Sequence, residues 1–352
     1  EIYQCDWSSD VCSSDLKKVA DRLNEIFRNN REEFEKKWDN LKLFIEYGMI
    51  TEEKFYEKAS KFALLKNTDD KFFTFEEYEK LIRENQTDKN KTLVYLYSTN
   101  KTDQFAYIEK ARNKGYDVLN LDGQLDIHLI NHLETKFKDS RFVRVDSDVI
   151  EKLIPREEAR ESKLTPAQQE DMRSVFNIRL VSKEIYNVTP EALDENDSPV
   201  IITQSEFMRR MKEMSALGGG MNFYGELPDS YNLVVNLNHP LVVRIAEDVN
   251  TELGTKLQEN NSERERVKEQ VEFMEKDQAK KKAEEISQVE KDDLEKLRKE
   301  LETIETARKE LLEGFGTGNK VVKQLIDLAL LSNNMLRGED LSTFVKRSVE
   351  LL

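Results

Sequence analysis

Apolar residues recur at helical spacing through the first quarter of the chain. Val19, Leu23, Ile26 and Phe27 fall at spacings that place them on one face of a helix. The same period continues in later segments, interrupted by polar positions. The pattern predicts that residues 17–90 form a group of helices.

A different pattern follows. Short apolar runs at 92–97, 116–121 and 141–145 are rich in strand-forming residues, and segments of helical period separate them. Strands that alternate with helices of this length are typical of a parallel sheet covered by helices. We therefore predict a small αβα unit over 91–150, followed by a polar linker over 151–165.

Residues 166–352 are predicted to form a second α+β domain that contains an inserted helical hairpin. Between 259 and 310 there is no glycine or proline, and 30 of the 52 residues are charged. Leucine and isoleucine recur there at heptad spacing, broken by Arg308, which favours an antiparallel hairpin or a short coiled coil. A solvated, partly disordered insertion is the alternative. The overall prediction is an α+β fold.

Composition disfavours two classes of protein, those that bind nucleic acid and those that span a membrane. The net charge is −15 and 36% of residues are charged, which disfavours nucleic acid as a partner. The chain has no run of 18 apolar residues, so no membrane span is predicted.

Both cysteines, Cys5 and Cys12, lie in residues 1–16, whose SSDVCSSDL string resembles translated sequencing-adapter read-through. We interpret 1–16 as an artefact of gene assembly; a natural disordered N-terminus is the alternative.

Few residues are candidates for catalysis. His128 and His132 lie four positions apart on a predicted helix, but no third ligand accompanies them, so a metal site is disfavoured. No P-loop pattern is present. The glycine-rich run 314–318 precedes a predicted helix; we expect a hinge or chain reversal there, with anion binding as the alternative. No catalytic residue is assigned.

A methionine-rich segment is the strongest candidate for binding. One apolar stripe is predicted on its helix, formed by Phe207, Met208, Met211, Met214 and Leu217. Unbranched, polarizable methionine side chains are over-used on adaptable binding surfaces. A core helix that packs on the nearby strands is the alternative, and periodicity by itself favours it.

Two apolar helices are predicted at 321–335 and 341–352, and the first of them is apolar on more than one side. Such helices near a chain end need cover from two directions, which indicates a partner subunit. The residues concerned are Val322, Leu325, Ile326, Leu328, Ala329, Leu331, Leu341, Phe344 and Val345.

Several of these segments resemble the middle and C-terminal domains of the heat-shock-protein-90 family, in its bacterial form. The resemblance rests on the segments KKVADRLNEIF at 17–27, NLKLFIEYGMI at 40–50, TLVYLYSTN at 92–100, GYDVLNLDGQLD at 115–126, SPVIITQSEFMRRMKEM at 198–214, MNFYGELPDSYNLVVNLNHPLV at 221–242 and GNKVVKQLIDLALLSNNML at 318–336. They occur in the family's order and cover nearly the whole chain. Family members are dimeric, ATP-driven molecular chaperones.

The resemblance implies a role for each candidate surface. The methionine-rich helix would bind unfolded client proteins, and His128 would stand where some relatives have an exposed aromatic residue. The last two helices would form the homodimer. The family's ATP-binding domain would precede Lys17, so the resemblance implies a truncated, cytoplasmic protein that does not hydrolyse ATP by itself. ATP and magnesium would be cofactors of the full-length protein only.

Two other classes of function remain open at this stage. The sheet over 91–146 could hold a cofactor in an enzyme. The hairpin over 259–310 could make the protein a structural coiled-coil adaptor.

Overall fold

The computed structural model describes residues 10–155, 160–177, 185–217, 229–281 and 287–351, and for 10–15, 213–217 and 351 it describes the backbone only. The fold is α+β, as predicted. The chain divides into two compact units. Unit 1 comprises residues 1–159 and 203–227, and unit 2 comprises 160–202 and 228–352. The segment 203–227 thus groups with unit 1, although the predicted boundaries place it in the second domain.

The elements of unit 1 are α1 (Asp10–Asn29), α2 (Arg31–Thr51), α3 (Glu53–Ala59), β1 (Leu64–Lys66), β2 (Phe72–Thr74), α4 (Phe75–Ile82), β3 (Leu93–Ser98), α5 (Phe105–Asn113), β4 (Val118–Asn120), α6 (Asp126–Lys136), β5 (Ser140–Arg144) and α7 (Ile150–Leu153). Those that follow are α8 (Pro166–Val175), β6 (Ile185–Glu191), β7 (Val200–Thr203), α9 (Glu206–Leu217), β8 (Ser230–Asn236), α10 (Pro240–Gln278), α11 (Gln288–Gly318), α12 (Lys320–Ser332) and α13 (Gly338–Leu351). Of these later elements, α9 belongs to unit 1.

The predicted helical group and parallel sheet are both present in unit 1. Thr74 and Glu77 form the capping box that starts α4. The strand order is β4-β3-β5, and β3 is parallel to both neighbours. All six residues of β3 are buried, which explains its uninterrupted apolar run. A short antiparallel pair, β1 with β2, was not predicted.

Two segments that the sequence analysis set apart from the domains contain residues that lie within helices or pack on unit 1. Asp10–Leu16, which the sequence interpretation set apart from the fold, begins α1, and Leu16 packs against the core of unit 1. The predicted linker over 151–165 opens within α7, and Leu153 and Ile154 are buried beside the sheet. A few apolar side chains in an otherwise polar segment are enough to hold that segment against a core.

Unit 2 has a three-stranded sheet in the order β6-β8-β7. The predicted hairpin is confirmed as α10 and α11, with a small apolar cluster formed by Val267, Val271, Leu294 and Ile304. Arg308 interrupts the heptads because it donates a 2.5 Å hydrogen bond to Asp171 of α8, and both side chains are buried. The position therefore serves a contact with α8 and not the hairpin seam.

The prediction of a hinge at 314–318 is wrong, because this run is the last part of α11. A Cβ on Gly316 would lie 1.9 Å from the carbonyl oxygen of Val175. Glycine is therefore required by the close approach of α8 to α11. The alternative of an anion site is also weakened, since the Asn319 side chain accepts hydrogen bonds from the first amides of α12, those of Val321 and Val322.

Among the described residues, none of the helices has both the length and the apolar character needed to cross a lipid bilayer.

Candidate functional site

The methionine-rich helix α9 lies on unit 1, where its polar face makes the contacts. Glu206 accepts a 2.7 Å hydrogen bond from the Tyr97 hydroxyl at the end of β3. Arg209 donates to the same hydroxyl at 2.5 Å, and its guanidinium carbon lies 5.8 Å from the centre of the Tyr97 ring. Because Arg209 is only 4% exposed, an ionic residue takes the place that an apolar one occupies on most packed helices.

Arg210 makes the second half of this attachment. Its guanidinium donates to Glu134 of α6 at 2.8 Å and to the carbonyl oxygen of Phe142 in β5 at 2.7 Å. It also donates to Glu206 at 2.6 Å within α9. Hydrogen bonds between charged groups are roughly twice as strong as neutral ones. The helix is thus held across the strand ends by a network of charged hydrogen bonds.

Electrostatics favour the ionised form of this network. Burial by itself would raise the pKa of Glu206, but the adjacent Arg209 and Arg210 outweigh it, so that the pKa lies below its usual value. Burial, with the neighbouring Glu206, raises the pKa of Tyr97 well above its usual range. Tyr97 therefore stays a neutral hydroxyl that can donate to Glu206 and accept from Arg209.

The apolar residues of α9 lie on the other side. Phe207 is 69% exposed and Met208 is 40% exposed, while Met211 is half-buried. The side chains of Met214 and Leu217 lie outside the described residues. Among the described side chains of α9, Arg209 is buried while Phe207 and Met208 are exposed, an orientation that favours a binding surface over a core helix.

The other residue predicted for this surface, His128, is half-buried on α6. It lies one turn before Asn131, which accepts a 3.3 Å hydrogen bond from Arg210. His132 has its ring 5.1 Å from that of Tyr56, and burial lowers its pKa. Within the described ranges, no group of three or more His, Cys, Asp or Glu side chains could hold a metal ion.

The predicted dimerisation residues divide into two sets. Val322, Leu325, Ile326, Ala329 and Phe344 are buried in the core of unit 2, and Leu341 is partly buried against it. Leu328, Leu331 and Val345 are 43%, 38% and 52% exposed. One apolar side of α12 is thus covered by its own unit, and the other side of the helix pair remains open to solvent.

Comparison with known proteins identifies the class. The model of the family described as Hsp90 protein matches residues 11–262. This match extends over more than half of the chain, through unit 1 and into the hairpin of unit 2. The chain belongs to the Hsp90 family.

Two curated relatives are bacterial chaperones. The chaperone protein htpG of Bacteroides fragilis (strain YCH46) is 51% identical over 338 residues, which cover 96% of this chain and 50% of that protein. The chaperone protein HtpG of Porphyromonas gingivalis (strain W83) is 44% identical over 344 residues, 97% of this chain and 50% of that protein. The chain therefore spans about half the length of these relatives.

Among solved structures, the middle domain of a heat shock protein from Plasmodium falciparum is 16% identical, with a TM-score of 0.32, over 39% of this chain and 57% of that one. Family membership favours the chaperone interpretation over the cofactor-binding enzyme and the coiled-coil adaptor.

Proposed function

We propose that this chain supplies the client-binding and dimerising part of an ATP-dependent chaperone. The observation that carries the proposal is the orientation of α9, with Phe207 and Met208 exposed while Arg209 is buried. A helix held by its charged side offers its apolar side to other molecules. Exposed apolar side chains of this size are typical of interaction sites when they are grouped.

Unfolded or partly folded segments would bind this face through their own apolar side chains. Burial of apolar surface contributes about 25 cal/mol for each Å² removed from water. Thioether side chains adapt to differently shaped partners, which suits a surface that must accept many sequences. Met211, Met214, Leu217 and His128 would extend the contact beyond Phe207 and Met208.

The test is a paired substitution on α9, Phe207→Ser with Met208→Ser. We expect suppression of aggregation of a heat-denatured client to fall several-fold while the circular dichroism spectrum is unchanged. The matched control is Phe105→Ser on α5, since Phe105 is 59% exposed in the same unit. Equal loss of suppression in the control, or full suppression by the double variant, would contradict the assignment.

We further infer that two copies associate through the open side of α12 and α13. The exposed residues Leu328, Leu331 and Val345 would then be covered by their copies, while the buried set holds the pair of helices in place. A dimer presents two α9 faces, which raises the effective concentration for a second contact with the same client.

Light scattering tests this interface. Leu328→Ser with Leu331→Ser should convert the chain to a monomer without loss of helical content. The control is Val289→Ser, since Val289 is 67% exposed on the hairpin helix α11. A dimer that survives the double substitution would place the interface elsewhere.

For the whole protein, we propose ATP and magnesium as cofactors and the cytoplasm as its location. The support is family membership together with the length of the chain, about half that of its relatives. The nucleotide would bind in the half that this chain does not span. The purified chain should accordingly release no phosphate from ATP above background. ATP hydrolysis by the purified chain would contradict the proposal that the nucleotide binds in the other half of the protein.

A further inference from the structure

Strand β5 lies at one side of the parallel sheet of unit 1. In the described residues the strand order is β4-β3-β5, so β5 pairs with β3 on one side only. On that side the amide of Val145 donates to the carbonyl oxygen of Tyr97 at 2.9 Å. Because successive residues of a strand direct their amide and carbonyl groups to opposite edges, those of Phe142 and Arg144 lie on the other side, the outer edge of β5.

Side chains cover the outer edge where a further strand would pair. The Phe142 amide donates to Glu134 at 2.7 Å, and the Phe142 carbonyl oxygen accepts from Arg210 at 2.7 Å. The next outward amide, that of Arg144, donates to Glu206 at 3.2 Å. An acceptor, a donor and a second acceptor thus follow one another along the edge, which is the order that the backbone of a pairing strand presents.

Two of these three side chains, Glu206 and Arg210, belong to α9, which is held by its charged side. The apolar residues Phe207 and Met208 of the same helix are exposed. The attraction within a buried ion pair is largely offset by the cost of removing both charges from water. When α9 leaves the edge, both partners regain that water together, so the cover can exchange with another hydrogen-bonding group.

We propose that the outer edge of β5 is a docking site for an extended polypeptide segment, which pairs with it as a fourth strand when α9 leaves. Backbone oxygens and amides of the segment would replace Glu206 and Arg210. Glu134 loses Arg210, its partner at 2.8 Å, in the same step, so its carboxylate can turn to solvent and free the Phe142 amide. The inference rests on the proposed function, because the segment would belong to the same unfolded clients, and it adds main-chain pairing to the apolar contact.

The chemistry of the outer edge fits such a partner. In strand addition the affinity comes from main-chain hydrogen bonds, whose donors and acceptors every residue except proline carries. Strand β5 has 5 residues. The Ser147 amide donates to the Arg144 carbonyl oxygen at 3.0 Å, which closes the far end of the edge. The site therefore takes a short segment, and it accepts many sequences.

A cover that only prevents unwanted pairing of a sheet edge has to stay in place. The docking site instead predicts that a strand binds the unsubstituted chain and displaces α9. The probe is a short labelled peptide of alternating threonine and valine, which both favour the extended backbone. We expect saturable binding in fluorescence anisotropy. The same peptide methylated at every backbone nitrogen keeps its side chains but has no N–H donor, and it should not bind.

Amide hydrogen exchange locates the bound peptide. In the unsubstituted chain the peptide should slow exchange of the Phe142 and Arg144 amides, because a strand then covers them. It should speed exchange of 205–217, because α9 has left the edge. Three results would overturn the proposal: no saturable binding, equal binding of the methylated peptide, or unchanged exchange in either segment.

Variants of α9 test the competition between helix and strand. Arg210→Met removes the donor to the Phe142 carbonyl oxygen and loosens α9. The peptide should then bind at least about tenfold more tightly, because apparent affinity rises with the fraction of open molecules. Arg22→Met is the matched control, since it removes the same charge from an exposed position on α1, and it should change nothing. Equal affinity in a folded Arg210→Met variant would overturn the proposal; should that variant not fold, equal affinity in Glu206→Gln would overturn it.

The apolar face of α9 separates this inference from the proposed function. Phe207→Ser with Met208→Ser should lose suppression of client aggregation, yet the gain in peptide affinity from Arg210→Met should persist when all three changes are combined. Loss of that gain would place the peptide on the apolar face and overturn the edge site. If the peptide tests fail while the double variant still loses suppression, the edge site is overturned and the proposed function stands.

Discussion

The attachment of α9 by charged groups makes Arg210→Met a decisive substitution. The Arg210 side chain is 15% exposed and bonds to Glu134 at 2.8 Å and to the Phe142 carbonyl oxygen at 2.7 Å. Methionine keeps apolar bulk but leaves these acceptors without a donor. Removing one partner of a buried ion pair costs about 3–5 kcal/mol. We expect a value near the lower end, because Arg209 remains to hold Glu206.

This cost should appear locally, in α9, because the exposed Phe207 and Met208 contribute little to docking. Amide hydrogen exchange of a peptide covering 205–217 reports it directly. A loss of about 3 kcal/mol corresponds to an increase of about two orders of magnitude in the exchange rate. Exchange in β3 should stay slow, since this strand is paired with β4 on one side and with β5 on the other.

The matched control is Met208→Ala, on the exposed face of the same helix. It should change the exchange of 205–217 by less than a factor of about three, since surface substitutions usually lie within about 0.5 kcal/mol. Two results would contradict attachment of α9 by its charged face. The first is unchanged exchange in Arg210→Met, and the second is a large increase in Met208→Ala, which would mean that apolar packing holds the helix.

Three further predictions concern charged groups. Burial raises the pKa of the Glu46 carboxyl, so the folded protein keeps this proton and its stability falls as pH rises through the folded pKa. In Glu46→Gln the melting temperature should depend less on pH between pH 5 and pH 9, and an equal dependence in both proteins would contradict this. Arg308→Met leaves Asp171 buried without its cation and should lower the free energy of unfolding by about 3–5 kcal/mol in urea titrations. The added change Asp171→Leu should restore much of that loss, and no recovery would count against a pairing effect. The hydrogen bond from Arg31 lowers the pKa of Glu77 to about 2, so this contribution is present above pH 4.5 and disappears as pH falls through the folded value. Because Glu77 is exposed, Glu77→Gln should cost only about 0.5–1 kcal/mol at pH 7, and less at pH 2, where half of these carboxyls are protonated in the folded protein. An equal cost at both pH values would contradict this.

Local patterns predicted the elements whose cause is local. The strands β3, β4 and β5 come from short apolar runs, and the hairpin of α10 and α11 from a long segment free of glycine and proline. Errors arose where a distant contact decided the structure. The run 314–318 looks like a hinge, but Gly316 is required by the carbonyl oxygen of Val175. Arg308 looks like a flaw in the heptads until Asp171 is seen beside it.

The same distinction applies to the candidate sites. The amphipathic character of α9 and the apolar character of α12 can be read from the sequence, because both properties depend on residues three or four positions apart. The sequence could not determine which side is covered. Tertiary structure decided that Arg209 is buried on Tyr97 while Phe207 is exposed, and that Ile326 is in the core while Leu328 is not. Periodicity defines the faces of a helix, but other helices and strands that pack on it decide which face is covered.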